Sequence, residues 1–201
     1  MRTAERTLRI IAGQWRGRKF RFPPIDIRPT PDRVRETLFN WLQTRIEGAR
    51  CLDLFAGSGA LGLEALSRGA AEVTFIEQER TATKAIEKLL VEWQASSGHV
   101  LCGDAQGFLA GKPPARPFDV VFLDPPYGSS ALAACARRLE AGWLTAGARI
   151  YVEHARREAL PALPAAWQGL RSGHAGEVGY HLFGAGAATT PDDMAGSETT
   201  A

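Results

Sequence analysis

The chain has 201 residues, long enough for one domain with a true hydrophobic core. Its 45% hydrophobic and 23% charged residues exclude wholesale disorder, and no apolar run approaches the roughly 18 residues a membrane span needs. The net charge of +2 hides a division: residues 1–50 carry 12 Lys and Arg against 5 Asp and Glu, and the rest carry 12 against 17.

Leu8 to Phe22 reads as two short strands around Gly13-Gln14-Trp15-Arg16-Gly17, with apolar and basic residues interleaved. Pro23-Pro24 and Pro29-Thr30-Pro31 interrupt regular structure. Asp32 is then expected to cap a helix that carries Val34, Leu38, Trp41, Leu42 and Ile46 on one face. From Arg50 strands and helices alternate. Strand 51–55 meets Ala56-Gly57-Ser58-Gly59, and helix 61–68 closes at Gly69. Strand 73–76, helix 81–95 and strand 99–102 follow, then strand 118–123, helix 131–139 and strand 148–153. This rhythm predicts a mostly parallel sheet with helices on both faces. Leu170 and Val178–Phe183 are expected to close it as a hairpin. Residues after Gly184 are small, polar and acidic, and are expected to be disordered. Trp41, Trp93, Trp143 and Trp167 are read as packing residues.

Cys51, Cys102 and Cys135 form an odd, scattered set, which excludes a disulfide framework and offers no zinc spacing. The first residues lack the apolar core of a secretion signal. A cytoplasmic protein without metal is therefore expected.

Gly57, Gly59 and Gly62 stand where a strand enters a helix, so a ligand can approach the backbone closely. Glu77 lies 20 residues past Gly57, placed for the hydroxyls of an adenosine ribose. NAD and S-adenosylmethionine share that ribose. Asp53 favours the second, because a carboxylate suits an ammonium group better than a pyrophosphate. Asp104, after the third strand of this series, is placed for an adenine amino group.

Asp124-Pro125-Pro126-Tyr127 follows directly on an apolar strand, at the end where open α/β sheets bind ligands. An exocyclic amine on a nucleobase is planar and a poor nucleophile. Two hydrogen-bond acceptors, one for each N–H, draw it toward tetrahedral geometry and free its lone pair. The Asp124 carboxylate can be one, and a carbonyl of the Pro125-Pro126 pair the other, aimed by the fixed proline φ. Tyr127 offers a ring for the base to stack on. Such chemistry requires no metal or covalent nucleophile, only alignment.

These residues, with Arg9-Ile-Ile-Ala-Gly13, Trp15-Arg-Gly-Arg18 and Arg28-Pro-Thr-Pro-Asp-Arg-Val-Arg-Glu-Thr-Leu-Phe39, resemble the bacterial 16S ribosomal RNA guanine-N2 methyltransferases from about Leu8 to Phe183. The resemblance implies a class I, Rossmann-like fold with a seven-stranded mostly parallel sheet and an amino-terminal β-hairpin extension. It implies S-adenosylmethionine as donor and a guanine of 16S rRNA as acceptor, within an assembled or assembling small subunit. By position it gives cofactor binding to Asp53, Gly57, Gly59, Glu77 and Asp104, and closure over the methionine end to Thr30 and Arg33. It gives the target amine to Asp124, Pro125, Pro126 and Tyr127. Arg16, Arg18, Lys19, Arg28 and Arg35 would neutralise phosphates, and Trp15 would stack on an exposed base. Residues 1–49 would then be an RNA-facing hairpin and helix, 50–184 the catalytic domain and 185–201 a tail, in a monomeric enzyme without membrane contact. The residues alone leave open an adenine N6 methyltransferase, a nicotinamide oxidoreductase and a non-catalytic RNA-binding module.

Overall fold

The computed structural model describes residues 6–22 and 30–186. A seven-stranded sheet forms its centre. β3 (Arg50–Asp53), β4 (Glu72–Glu77) and β5 (Gly98–Cys102) run outward in parallel, and β6 (Phe118–Leu123) returns to the other side of β3. β7 (Leu144–Ala155) continues in parallel, and the β8 (Trp167–Ala175) and β9 (Val178–Ala185) hairpin closes the sheet antiparallel, in the order β5-β4-β3-β6-β7-β9-β8. Val120, Val121, Phe122 and Leu123 are all buried, because both faces of the sheet are covered.

One face carries α1 (Asp32–Trp41), α2 (Ala60–Ser67) and α3 (Arg80–Glu92); the other carries α5 (Ala131–Leu139) and the short α4 (Ala105–Leu109), which periodicity did not reveal. The β8–β9 hairpin turns at Gly176, and its last strand runs to Ala185, two residues beyond the expected Phe183. The expected tail from 187 onward, and Arg28, lie outside the described residues. Trp93, Trp143 and Trp167 are buried and Trp41 packs on Tyr180, as expected of packing residues.

Among the described residues, the front of the chain has no core of its own. β1 (Arg6–Arg9) and β2 (Lys19–Phe22) pair antiparallel, and Ile10, Trp15 and Phe20 enter the same core as Leu38, Leu63 and Trp93. The loop between β1 and β2 is pinned to α2. Gln14 N–H donates to the Ser67 carbonyl, Trp15 N–H to Ser67 Oγ, and the Ile11 and Ala12 N–H groups to Glu64. At Gly13 a Cβ would stand 1.8 Å from the Ser67 carbonyl oxygen at φ +83°, so only glycine permits this approach.

Three readings of this region are corrected. Asp32 is the first residue of α1 rather than its cap, a place taken by Pro31; its carboxylate accepts from Arg9 and Arg35 instead. Arg35 is not available to phosphate. It is fully buried, 2.6 Å from Asp32 and 3.7 Å from the buried Glu64. Trp15 is not an open stacking platform. It is 8% exposed and packs on Trp93 at 5.1 Å between centroids, because the loop folds back onto the ends of α2 and α3.

Candidate active site

The order in which strands are laid down creates the site. The chain passes from β3 to β4 on one side and returns as β6 on the other, so the crossovers diverge above the C-terminal ends of β3 and β6. Open α/β sheets leave a crevice at such a point. Here it is a cavity of about 890 Å³, in the range of ligand sites. Asp53 closes β3 and Asp124 follows β6 directly, so the two acids face one cavity from neighbouring strands. Glu77 from the end of β4 and Asp104 after β5 also line it, so the four expected acids converge.

The glycine turn works as the spacing suggested. Gly57 and Gly59 have φ of +53° and +77°, and Gly59 starts α2 without any side-chain cap. Gly62 lies against Phe75, where a Cβ would meet the ring at 2.1 Å, so its role is close helix-to-sheet packing. The acids are held by backbone donors. Asp53 accepts from Gly62 N–H at 3.1 Å. Glu77 accepts from Gly57 N–H and Glu79 N–H, both at 2.7 Å. Asp104 caps α4 through Gly107 N–H at 2.8 Å.

Among the described residues the cavity wall contains Asp53, Glu77, Glu79, Asp104 and Asp124 but no Lys or Arg. A wall of carboxylates without a cation suits a positively charged ligand and repels a pyrophosphate. Glu79 had not been singled out; its place two residues after Glu77 was the available signal. Burial pushes Asp53 up to about 7, with the Gly62 hydrogen bond opposing and Glu77 adding to the rise. A ligand cation beside Asp53 favours its ionised form. Binding at neutral pH is therefore expected to release a proton, and affinity to rise up to about tenfold per unit as pH climbs toward 7. Calorimetry of S-adenosylhomocysteine binding in buffers of different ionisation enthalpy would measure the release, and Asp53→Asn should remove it.

Pro125, Pro126 and Tyr127 line the opposite rim, with Tyr127 37% exposed. Thr30 reaches the wall from the front segment. It is 6% exposed and stands 2.9 Å from Glu153 and 3.4 Å from Asp124. Arg33 is on the exposed side of the first turn of α1 and does not line the cavity. Arg16, Arg18 and Lys19 are exposed on the hairpin, with Arg18 lying 5.6 Å over the Trp93 ring. They are not beside the cavity. The hairpin loop is bonded to Ser67, whereas Ala60, at the other end of α2, lines the cavity. Seven residues of helical rise put them roughly 10 Å apart. Glu153 and Tyr151, both buried behind Asp124, carried no signal in the sequence beyond their strand alternation.

This strand order, the crevice between β3 and β6 and the acid-proline-proline-tyrosine rim define a class I, Rossmann-like methyltransferase. The chain belongs to the family described as conserved hypothetical protein 95, whose model matches residues 8–184. The ribosomal RNA small subunit methyltransferase D of Escherichia coli (strain K12) is 49% identical over 178 residues, 88% of this chain and 89% of that protein. A protein of the same name from Haemophilus influenzae is 44% identical over 187 residues, 90% of this chain and 95% of its own length. The solved yhhF chain of Escherichia coli superposes with a TM-score of 0.83 at 48% identity, covering 90% of this chain and 99% of that one.

Proposed function

We propose that the protein transfers a methyl group from S-adenosylmethionine to the exocyclic N2 amine of a guanine in 16S rRNA. The observation that carries this reading is the position of Asp124. It stands on the same cavity as four acids, at the rim where a base can enter. The relatives named as ribosomal RNA small subunit methyltransferases supply the substrate class.

The cavity fits the cofactor. The free carboxylate capacity of Asp53 suits the ammonium of the methionine end, Glu77 suits the ribose hydroxyls and Asp104 the adenine amine. S-adenosylmethionine supplies a methyl on a sulfonium, already a good leaving group. The protein then has to hold the acceptor nitrogen in line and make its lone pair available. Asp124 accepts one N–H of the amine and a carbonyl of Pro125 or Pro126 accepts the other. Tyr127 stacks on the base, which has to leave its own stack to reach this depth.

Desolvation, then the Glu153 and Asp53 carboxylates, hold Asp124 well above the usual carboxylate range, against the Thr30 hydrogen bond. A carboxylate so raised is a better proton acceptor near neutral pH.

Arg16, Arg18 and Lys19 serve phosphates away from the target nucleotide, about one α2 length from the cavity. A footprint of that reach suits a folded substrate, the assembled or assembling small subunit, met by a monomer in the cytoplasm. In this reading the front 49 residues orient RNA and residues 50–184 carry out transfer. Charge reversal of Arg16, Arg18 and Lys19 to Glu is expected to weaken RNA binding about tenfold or more and to flatten its salt dependence. The rate of methyl transfer at saturating RNA should be unchanged. Filter binding across salt concentrations tests both, and an unchanged affinity would remove these residues from the interface. No helix is long and apolar enough to cross a membrane among the described residues.

The nicotinamide alternative loses its support from the all-acid wall. Calorimetry with S-adenosylhomocysteine and NAD tests it, and binding of NAD alone would refute the reading.

A further inference from the structure

Methyl transfer leaves a proton to dispose of. As the N–C bond forms, the nitrogen bears one hydrogen too many, and it releases that hydrogen to an acceptor in a cavity already crowded with acids. Asp124 is the acceptor in contact with the amine. A protonated Asp124 loses its value for the next substrate until the proton moves on.

Behind Asp124, away from the cavity wall, lies a second carboxylate. Glu153 is 2% exposed and its Oε1 accepts from Tyr151 Oη at 2.8 Å and from Thr30 Oγ1 at 2.9 Å. The same Thr30 hydroxyl stands 3.4 Å from Asp124 Oδ2. One hydroxyl hydrogen therefore has two carboxylate acceptors, and one hydroxyl oxygen stands ready to accept from either acid in turn. Tyr180 faces Glu153 across the β7–β9 ladder, and Asp53 flanks Asp124 on the cavity side. No Lys, Arg or His bonds to this group among the described residues.

We propose that Thr30 and Glu153 form a proton relay, which takes the proton from Asp124 and stores it on Glu153 while the methylated base leaves. In balanced form, the amine N–H breaks and Asp124 gains O–H. Asp124 then gives its proton to the Thr30 oxygen as Thr30 gives its own to Glu153. Asp124 is again a carboxylate, Thr30 again a hydroxyl and Glu153 a neutral acid. When the cavity empties, the proton returns through the Thr30 hydroxyl to Asp124, which lines the cavity and releases it to solvent. The 3.4 Å contact has to shorten in the first transfer, as hydrogen bonds in empty sites commonly do on loading.

The geometry of the Thr30 hydroxyl between the two acids carries the relay, and burial of both acids lets either hold a proton. Burial pushes Glu153 up to about 7, against the hydrogen bonds from Tyr151 and Thr30, so it can both hold and release a proton at neutral pH. Tyr151 is driven well above its usual range, first by burial and then by the Glu153 charge, and stays a donor throughout. Two acids this close titrate as a pair, which lets one hold the proton the other has lost. Glu153 and Thr30 are positioning residues: they act through Asp124.

The relay rests on the guanine-N2 reading and deepens it. Its test is single-turnover methyl transfer to small subunits by wild type, Thr30→Val, Thr30→Ser, Glu153→Gln and the Thr30→Val/Glu153→Gln pair. The valine and glutamine variants are expected to slow transfer about 10- to 100-fold near pH 7 with RNA affinity unchanged, and Glu153→Gln, which lies off the cavity wall, with KM for S-adenosylmethionine unchanged too. The double variant should be no slower than either single, since both break one chain. Thr30→Ser should stay within a few-fold of wild type. The wild-type rate should rise toward pH 7 more steeply than one proton allows. In Glu153→Gln the rise should become single-proton and move to lower pH, because Asp124 loses a charged neighbour. Infrared titration of the protein alone should show carboxylic acid bands disappearing as pH rises through about 7, with one component lost in Glu153→Gln and the Asp53 component kept. A Thr30→Val enzyme with wild-type rate and pH profile, or independent multiplying effects in the double variant, would overturn the relay. A wild-type protein that methylates no guanine would overturn the functional reading and the relay with it.

Discussion

Asp124→Ala is expected to lower methyl transfer by roughly 10³-fold or more while leaving RNA affinity unchanged. The reason is positional. Asp124 lies at the C-terminal end of β6, where the sheet order opens the crevice, and it shares the wall with the acids of β3, β4 and β5. Its loss removes the acceptor that draws the amine out of plane and the base that takes its proton. Arg16, Arg18 and Lys19, proposed to meet phosphates, stand about an α2 length away and are untouched by the change. Asp124→Asn separates the two roles, because the amide oxygen still accepts a hydrogen bond but takes up no proton. It should therefore fall between wild type and alanine. Single-turnover transfer to small subunits measures all three, and an active Asp124→Ala enzyme would mean that another group holds the amine.

Glu64→Ala is expected to lower the free energy of unfolding by about 3–5 kcal/mol. Glu64 is fully buried in α2 and serves four partners. It accepts from the Ile11 and Ala12 N–H groups at 2.8 and 3.0 Å and from Arg68 at 2.7 Å, and it faces Arg35 at 3.7 Å. Arg35 has no exposed side-chain surface, and its Nε and Nη1 have no hydrogen-bond partner among the described residues, so the Glu64 charge is what compensates them. Removing the carboxylate leaves that buried charge with Asp32 as its one acidic partner among the described residues, beside the Arg9 carbonyl, and orphans two backbone donors of the hairpin loop. Replacing Arg35 by Met in the same background should recover part of the loss, since no lone charge then remains. Urea unfolding of the single and double variants tests this. A loss below about 1 kcal/mol would show that the buried pair does not anchor the hairpin.

This anchoring explains where sequence reading succeeded and where it did not. The parallel strands β3 to β6 were legible because each carries a short apolar run followed by glycine or an acid. β6, covered on both faces, carries no polar residue after Asp119. The acids of the site were legible because they fall at strand ends, and the β3–β6 switch point brings all strand ends to one crevice. Contacts between distant segments were not. Trp15 and Arg35 sit among basic residues and look like surface groups in the sequence. Only the fold shows Trp93 and Glu64 beneath them. Glu153 was hidden for the opposite reason. It occupies an inward position of a central strand, where local sequence gives no hint that a carboxylate from β6 and a hydroxyl from the front segment meet it.

The charge division has changed meaning accordingly. Part of the basic excess of the first 50 residues is internal: Arg35 is consumed by Asp32 and Glu64, and Arg9 pairs with Asp32. Part of the acidic excess of the remainder lines the cavity, in a wall that suits a cation. Arg16, Arg18 and Lys19 are exposed on a flank, not at the mouth of the cavity, and are the residues proposed to face RNA.

The most direct test of the account is mass spectrometry of nucleosides from 16S rRNA of cells with and without this protein. Loss of one N2-methylguanine, restored by the wild-type chain and not by Asp124→Ala, is the expected result. Unchanged N2-methylguanine, or loss of N6-methyladenine in its place, would contradict it.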